Sequence, residues 1–278
     1  MPWSKEHLKW LRKTNETVKS ADGKTIAVWE FQVDSDEKVL TAWAKHFRNH
    51  YCLDTQIDRL RQNTLHSRKE YLLSIKFPDK TAAPGPSVRA GDFAEILVAD
   101  YLEYFLGYWV PRMRYGRKMI RNESSKGCDT LGFKFIKDGT VSDDDVLALF
   151  ETKASLSGNK PSERLQEAVD HSGKDDLRKA ESLNAIKQFF LDKNQDTEVD
   201  RVERFQNIED VPYKEHYGAV ALMSHDVYCP KTIATTTAKA HRNRKALDLI
   251  VIRGKDLMKL VHDLYERAAD EADKAHET

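Results

Sequence analysis

Residues 147–153 read Leu-Ala-Leu-Phe-Glu-Thr-Lys, an apolar run that ends in two opposite charges. Because side chains alternate along a strand, Glu151 and Lys153 share one face and Phe150 lies on the other. A buried strand does not carry unpaired charges, since burial of an isolated charge is heavily penalised. The run therefore predicts a strand that ends at a functional site. A simple ion pair on a strand end that emerges into solvent is the alternative.

A second carboxylate stands at the start of a candidate partner strand. Residues 128–136 predict a strand that pairs as a hairpin with residues 146–154, across an acidic turn at 138–145. Such a hairpin brings the start of one strand to the end of the other, so Asp129 and Glu151 are expected to be neighbours. Alternatively, Asp129 only bonds to its own backbone.

A third carboxylate lies in a predicted helix over residues 91–106. Glu95 is surrounded in sequence by Phe93, Ile96 and Leu97, which places it at the margin of the buried stripe rather than on the wet face. We therefore include it among the candidate site residues.

Three acids on separate elements and one lysine are what a metal-dependent phosphodiesterase needs. Carboxylate oxygens from Glu95, Asp129 and Glu151 suit a hard cation such as Mg²⁺, with Mn²⁺ as the alternative ion. The cation polarises the phosphate and helps to ionise a water molecule. Lys153 then orients that water or stabilises the negative charge of the transition state.

The order of these residues resembles the signature of the PD-(D/E)xK nuclease superfamily: a helix acid at Glu95, a strand acid at Asp129 and ExK at residues 151–153. Cys128 stands where a proline is usual. The resemblance implies an α/β fold with a restriction-endonuclease-like core, in which a mixed central sheet is flanked by helices. It also implies the catalytic and metal-binding roles given above.

The segments that carry these acids also resemble the HamA family. They read Arg-Ala-Gly-Asp-Phe-Ala-Glu-Ile-Leu at 89–97, Gly-Cys-Asp at 127–129 and Phe-Glu-Thr-Lys-Ala-Ser at 150–155, and the resemblance extends over residues 86–270. HamA proteins are nuclease subunits of the Hachiman antiphage system. The resemblance implies a bacterial defence nuclease that cuts DNA and that works with, and is restrained by, a helicase subunit called HamB.

The charge composition and the position of the prolines indicate how the chain is organised. Its 278 residues carry 45 basic and 45 acidic side chains, which excludes a uniformly basic nucleic-acid-binding coat. The proline-rich residues 78–90 predict a boundary between an N-terminal α+β accessory region, residues 1–85, and a nuclease domain, residues 86–278. Neither a transmembrane run nor a signal peptide is visible, so we expect a cytoplasmic protein.

Apolar periodicity predicts the other elements. Strands are expected at 25–33, 70–77, 218–223 and 247–252, and irregular chain at 194–216. Helical regions are expected at 40–51, at 161–190 with an interruption at Gly173, and at 255–269. This order of helices and strands predicts a mixed sheet covered by helices.

The segment between the Glu95 helix and Asp129 is strongly basic. Against one acid, Glu123, it carries Arg112, Arg114, Arg117, Lys118, Arg121 and Lys126. Because the segment borders the expected site, contacts with DNA phosphates are a natural use for it; a solvated loop is the alternative. No base-reading motif is visible, so little sequence specificity is expected. The chain also lacks an ATP-binding phosphate loop, so ATP-driven movement must come from another protein.

Two other functions fit the same residues. One is a catalytically silent DNA-binding or regulatory subunit of a helicase complex, which cleavage of plasmid DNA in Mg²⁺ distinguishes. The other is a junction resolvase or repair nuclease of the same superfamily, which the preferred shape of the DNA distinguishes.

Overall fold

The structure is a computed structural model that describes residues 4–137 and 139–274, with the backbone alone at 175–177. The strands are β1 (Leu11–Lys19), β2 (Thr25–Phe31), β3 (Thr130–Lys134), β4 (Val146–Ser155), β5 (Lys214–Ser224) and β6 (Leu247–Gly254). The helices are α1 (Glu37–Tyr51), α2 (Ile57–Arg61), α3 (Arg68–Tyr71), α4 (Gly85–Asp100), α5 (Arg164–Ser172), α6 (Asp175–Leu191), α7 (Asp196–Glu203), α8 (Pro230–Ala234) and α9 (Leu257–Lys274). Single π-helical turns extend α3 and α4, at Leu72–Lys76 and Tyr101–Phe105.

The strands form one six-stranded sheet in the order β1-β2-β6-β5-β4-β3. The four inner strands β2, β6, β5 and β4 are parallel, and the edge strands β1 and β3 are antiparallel to their neighbours. The α/β fold with a mixed central sheet is therefore confirmed. The carboxyl ends of the parallel strands meet at one edge of the sheet, which is where Glu151 and Lys153 lie.

Each face of the sheet is covered by its own helical layer. Ala148 and Phe150 of β4 pack beneath α1, α4 and α9, whereas Leu147 and Leu149 pack beneath α5, α6 and α7. Such burial on both faces explains why the inner strands are continuous apolar runs. By alternation, Glu151 and Lys153 continue the face of Leu147 and Leu149.

The first 85 residues join the same sheet as the candidate site. Ile26 to Glu30 of β2 pair in parallel with Leu249 to Arg253 of β6. Helix α1 also packs against α9 and α4 in one shared core. The division at residue 85 stays a prediction of the sequence.

The predictions for the segments that form α3 and the start of α4 are wrong. The strand expected at 70–77 is helical, because Ser67 and Glu70 form a reciprocal capping box that starts α3. The helix expected from residue 91 begins at Gly85, six residues earlier. Pro86 lies in its first turn, where the missing N–H has no helical partner to lose.

The polar stretches also hide regular structure. Strand β1 was not predicted, because its mostly exposed side chains carry no apolar alternation; it is an edge strand. The segment 194–216, expected to be irregular, contains α7 and the start of β5. There Lys214 pairs with Val146 of β4 although its side chain is exposed.

Candidate functional site

The candidate site is a cleft at the carboxyl edge of the sheet, between β3, β4 and the helices that flank them. The cleft has a volume of about 1120 Å³. Its lining includes all four residues that the sequence singles out for chemistry: Glu95, Asp129, Glu151 and Lys153.

Glu151 and Lys153 form an ion pair on one face of β4, as the alternation predicts. Lys153 Nζ bonds to Glu151 Oε1, and His171 Nδ1 of α5 lies 3.4 Å from the same oxygen. The second oxygen, Oε2, is buried and makes no hydrogen bond within the described part of the chain. Burial, reinforced by the charge of Asp129, raises the pKa of Glu151 to about 7. The ionised form of Glu151 is therefore costly in this buried position.

Asp129 immediately precedes β3 and lies beside the end of β4. Thr130 pairs with Phe150, so the same antiparallel register continued by one residue puts Asp129 opposite Glu151. The Thr152 N–H donates to Asp129 Oδ2 at 3.0 Å, and Arg114 Nη2 lies 3.1 Å from Oδ1. The hairpin therefore brings the second acid to the first, as expected.

The segment before Asp129 is held by Gly127 and Ser182. Gly127 has φ +92°, a left-handed conformation that L side chains rarely adopt. A Cβ atom at this position would lie 2.9 Å from Ser182 Oγ of α6. The same hydroxyl accepts the Cys128 N–H at 3.0 Å, so it fixes the chain just before the acid.

Glu95 reaches the cleft from α4, which covers the opposite face of the sheet from Glu151. Tyr115 donates its hydroxyl to Glu95 Oε2 at 2.7 Å, and Arg114 Nε lies 3.1 Å from the same oxygen. Burial raises the pKa of Glu95 to about 8, since the charge of Arg114 only partly offsets it. Glu95 and Asp129 thus both pair with the guanidinium of Arg114, which lies between them.

Most of the basic segment is engaged within the fold. Five of its six candidate DNA-binding residues form ion pairs: Arg112 with Asp100 and Glu103, Arg114 with Glu95 and Asp129, Arg117 with Asp192, Lys118 with Asp92, and Arg121 with Asp79. Arg112 and Lys118 are almost fully buried, whereas Lys126 is exposed and lines the cleft. The assignment of the six residues to DNA contacts stays a prediction.

His171 is a site residue that sequence reasoning missed. It lies on α5, and its half-exposed ring faces the cleft beside Glu151. The available signal was topological, because a helix that follows the ExK strand must cross back over the face that carries Glu151. Burial and the neighbouring Lys153 lower the pKa of His171, which favours a neutral ring.

A second group of potential metal ligands lies in the core, where hydrogen bonds join its members. His7, His46 and Asp100 are fully buried, and His7 Nε2 and His46 Nε2 lie 2.9 Å and 3.0 Å from the carboxylate. The Ser4 N–H donates to His46 Nδ1 at 3.2 Å, so the ring proton of His46 sits on Nε2, facing Asp100. Arg112 lies 2.7 Å from the same carboxylate. We therefore interpret this group as a hydrogen-bonded cluster that ties the N-terminal segment to α1 and α4.

The fold and the site together define an α/β protein with a helix acid, a strand acid and an ExK pair at one edge of a mixed sheet. This is the arrangement by which the sequence resembles PD-(D/E)xK nucleases. A family model described as HamA matches residues 5–268, and the chain belongs to the HamA family. That family is a component of the Hachiman defence system.

No curated protein matches the chain. Within the described residues, no helix has both the length and the apolar character needed to cross a bilayer.

Proposed function

We propose that the chain is a metal-dependent DNA nuclease, which hydrolyses phosphodiester bonds with little sequence specificity and acts in antiphage defence together with the helicase subunit HamB. The observation that carries the proposal is the junction of β3 and β4. There Asp129 stands opposite Glu151, beside a lysine, in a cleft. One oxygen of Glu151 is buried without a hydrogen bond among the described residues.

The residues present fit a hard divalent cation. Glu95, Asp129 and Glu151 would hold Mg²⁺, or Mn²⁺, because both ions prefer carboxylate oxygens. The unsatisfied Oε2 of Glu151 supports this assignment, since a buried polar atom without a partner is costly unless a ligand completes it. When bound, the ion supplies Lewis-acid chemistry that polarises the phosphate and lowers the pKa of a water molecule.

The remaining work falls to side chains of the protein. Lys153, whose Nζ bonds to Glu151 Oε1, would orient the attacking water or stabilise charge that develops on the phosphate. The Thr152 N–H holds Asp129 in position at the end of β4. Lys126 at the rim of the cleft is the exposed candidate for a contact with the DNA backbone.

The helicase partnership rests on the family. The chain lacks a phosphate-binding loop for ATP, so ATP-driven movement along DNA would be supplied by HamB. By the same resemblance, HamB would also restrain the nuclease.

The test is cleavage of supercoiled plasmid by the purified chain in Mg²⁺, with a chelator as the negative control. Each protein is assayed by itself and again in the presence of HamB and ATP. Glu151→Ala and Lys153→Ala are expected to lower the cleavage rate at least about 100-fold while DNA affinity is nearly unchanged. Lys214→Ala, an exposed lysine at the opposite end of the sheet, is the matched control and is expected to cleave normally.

Two results would contradict the proposal. Full cleavage by both site variants would remove the assignment of the site. Complete inactivity of the wild-type chain in the presence of HamB, ATP and Mg²⁺ would favour a catalytically silent DNA-binding subunit.

A further inference from the structure

Arg114 lies between two of the three acids of the candidate site. Its Nε atom is 3.1 Å from Glu95 Oε2, and its Nη2 atom is 3.1 Å from Asp129 Oδ1. The side chain is only 16% exposed. Because Glu95 belongs to α4 and Glu151 to the opposite face of the sheet, the guanidinium is what connects Glu95 to the rest of the site.

Main-chain carbonyls fix the same guanidinium from a third direction. Nη2 donates to the carbonyl oxygen of Ser125 at 3.0 Å, and Nη1 donates to the carbonyls of Cys128 and, at 3.2 Å, Asp129. Arg114 is therefore tied to the segment that leads into β3, and moving its side chain out of the site would break these hydrogen bonds. A cation enclosed by carboxylate and carbonyl oxygens is held in the way that proteins hold a hard metal ion.

The carboxylate oxygens of the three acids differ in how many partners they already have. Asp129 uses Oδ1 for Arg114 and Oδ2 for the Thr152 N–H. Glu95 Oε2 is shared by Arg114 and Tyr115. The oxygen that is buried without a hydrogen bond among the described residues is Oε2 of Glu151, so an incoming cation is drawn to the Glu151 side of Asp129.

The charge count points the same way. Counted in their ionised forms, the three carboxylates carry −3 and the two cations paired with them, Arg114 and Lys153, carry +2, so these five groups sum to −1. One divalent cation brings the sum to +1, before a DNA phosphate adds its negative charge. A second divalent cation would bring the sum to +3 and would be repelled by the Arg114 guanidinium.

We infer that Arg114 takes the place of a second metal ion. The chain then binds a single divalent cation at Asp129 and Glu151. Glu95, counted above among the three acids that would hold the ion, pairs with the guanidinium instead and is not a ligand. This inference rests on the proposed function and refines it: Glu95 and Arg114 are positioning residues that orient Asp129, and cleavage proceeds with one metal ion.

The test counts Mn²⁺ ions bound to the full chain without DNA, by the electron paramagnetic resonance signal of the free ion. The wild-type chain is expected to bind one ion, and Glu151→Gln none. Arg114→Gln removes the fixed charge between Glu95 and Asp129 and is expected to bind two. Arg114→Lys keeps the charge and is expected to bind one, as is Arg267→Gln, a matched arginine that pairs with Glu37.

The outcomes separate this inference from the proposed function. Two ions on the wild-type chain would overturn the inference alone, and no ion would contradict the proposed metal site as well. A folded Arg114→Gln variant that binds one ion with wild-type affinity, or none, would also overturn the inference, because Arg114 would then be only a structural clamp. If circular dichroism shows that Arg114→Gln does not fold, the wild-type count decides.

Discussion

Glu151→Gln is expected to stabilise the folded protein at alkaline pH while it removes the proposed activity. Burial first, and the charge of Asp129 second, raise the pKa of Glu151 from 4.5 to about 7. The folded chain thus binds this proton more tightly than the unfolded chain does. The stability that the protonated group contributes is complete below pH 4.5 and is lost as the pH rises through about 7.

The size of the effect follows from the shift. At about 1.36 kcal/mol for each pH unit, a rise from 4.5 to about 7 corresponds to an upper bound of about 3 kcal/mol. Glutamine has nearly the same shape and never ionises, so it avoids this cost. It also gives up the ion pair with Lys153, so we expect a net gain of about 1–2 kcal/mol at about pH 8.5 and no gain at about pH 5.

Urea denaturation without divalent ions measures these free energies of unfolding. Glu209→Gln, an exposed glutamate, is the matched control and is expected to follow the wild-type chain at both pH values. Added Mg²⁺ should raise the Tm of the wild-type chain and leave that of Glu151→Gln unchanged, because ligand binding to the folded state alone is stabilising. The raised pKa of Glu151 would be contradicted if Glu151→Gln were less stable than the wild type at alkaline pH. It would also be contradicted if the free energy of unfolding of both proteins depended on pH equally.

Three other substitutions probe the scaffold and the rim. Asp100→Asn deprives buried Arg112 and two histidines of their shared anion and should lower the free energy of unfolding by about 3 kcal/mol in urea; a loss no larger than that of the exposed Asp263→Asn would contradict the assignment. Gly127→Ala forces a side chain onto φ +92° against Ser182 and should cost about 1–2 kcal/mol, with a lower cleavage rate; unchanged stability and cleavage would argue against that strain. Lys126→Gln should weaken DNA binding and reduce the slope of log affinity against log salt concentration by about one, and an unchanged slope would remove its phosphate contact.

The hairpin and its acids were predictable because two independent signals coincide there. Phe150 and its apolar neighbours require a buried strand, and a buried strand that ends in Glu151 and Lys153 requires partners for both charges. Asp129 follows from the register of the hairpin alone. The structure confirms this register through the pairing of Thr130 with Phe150.

The distribution of the basic residues was not predictable. Six similar cations lie between residues 112 and 126, and their spacing does not show which of them point inward. The partner of Lys118 is Asp92 of α4, more than twenty residues upstream. Arg112 pairs with Asp100, which also belongs to α4. Only the packing of α4 against the basic segment decides that Arg114 enters the site while Lys126 stays at its rim.

Polar stretches also limited the prediction of the fold. An edge strand such as β1 is solvated along most of its length, so its side chains need no alternation that a reader of the sequence could recognise. The strand wrongly expected at 70–77 shows the converse. There the capping box of Ser67 and Glu70 decides for helix over a run of apolar residues.

The most direct test for a divalent ion held by Asp129 and Glu151 is an anomalous difference map from a crystal of the full chain soaked in Mn²⁺. The proposed site predicts one peak between the carboxylates of Asp129 and Glu151. No peak there, or a peak at the cluster of His7, His46 and Asp100 instead, would contradict it.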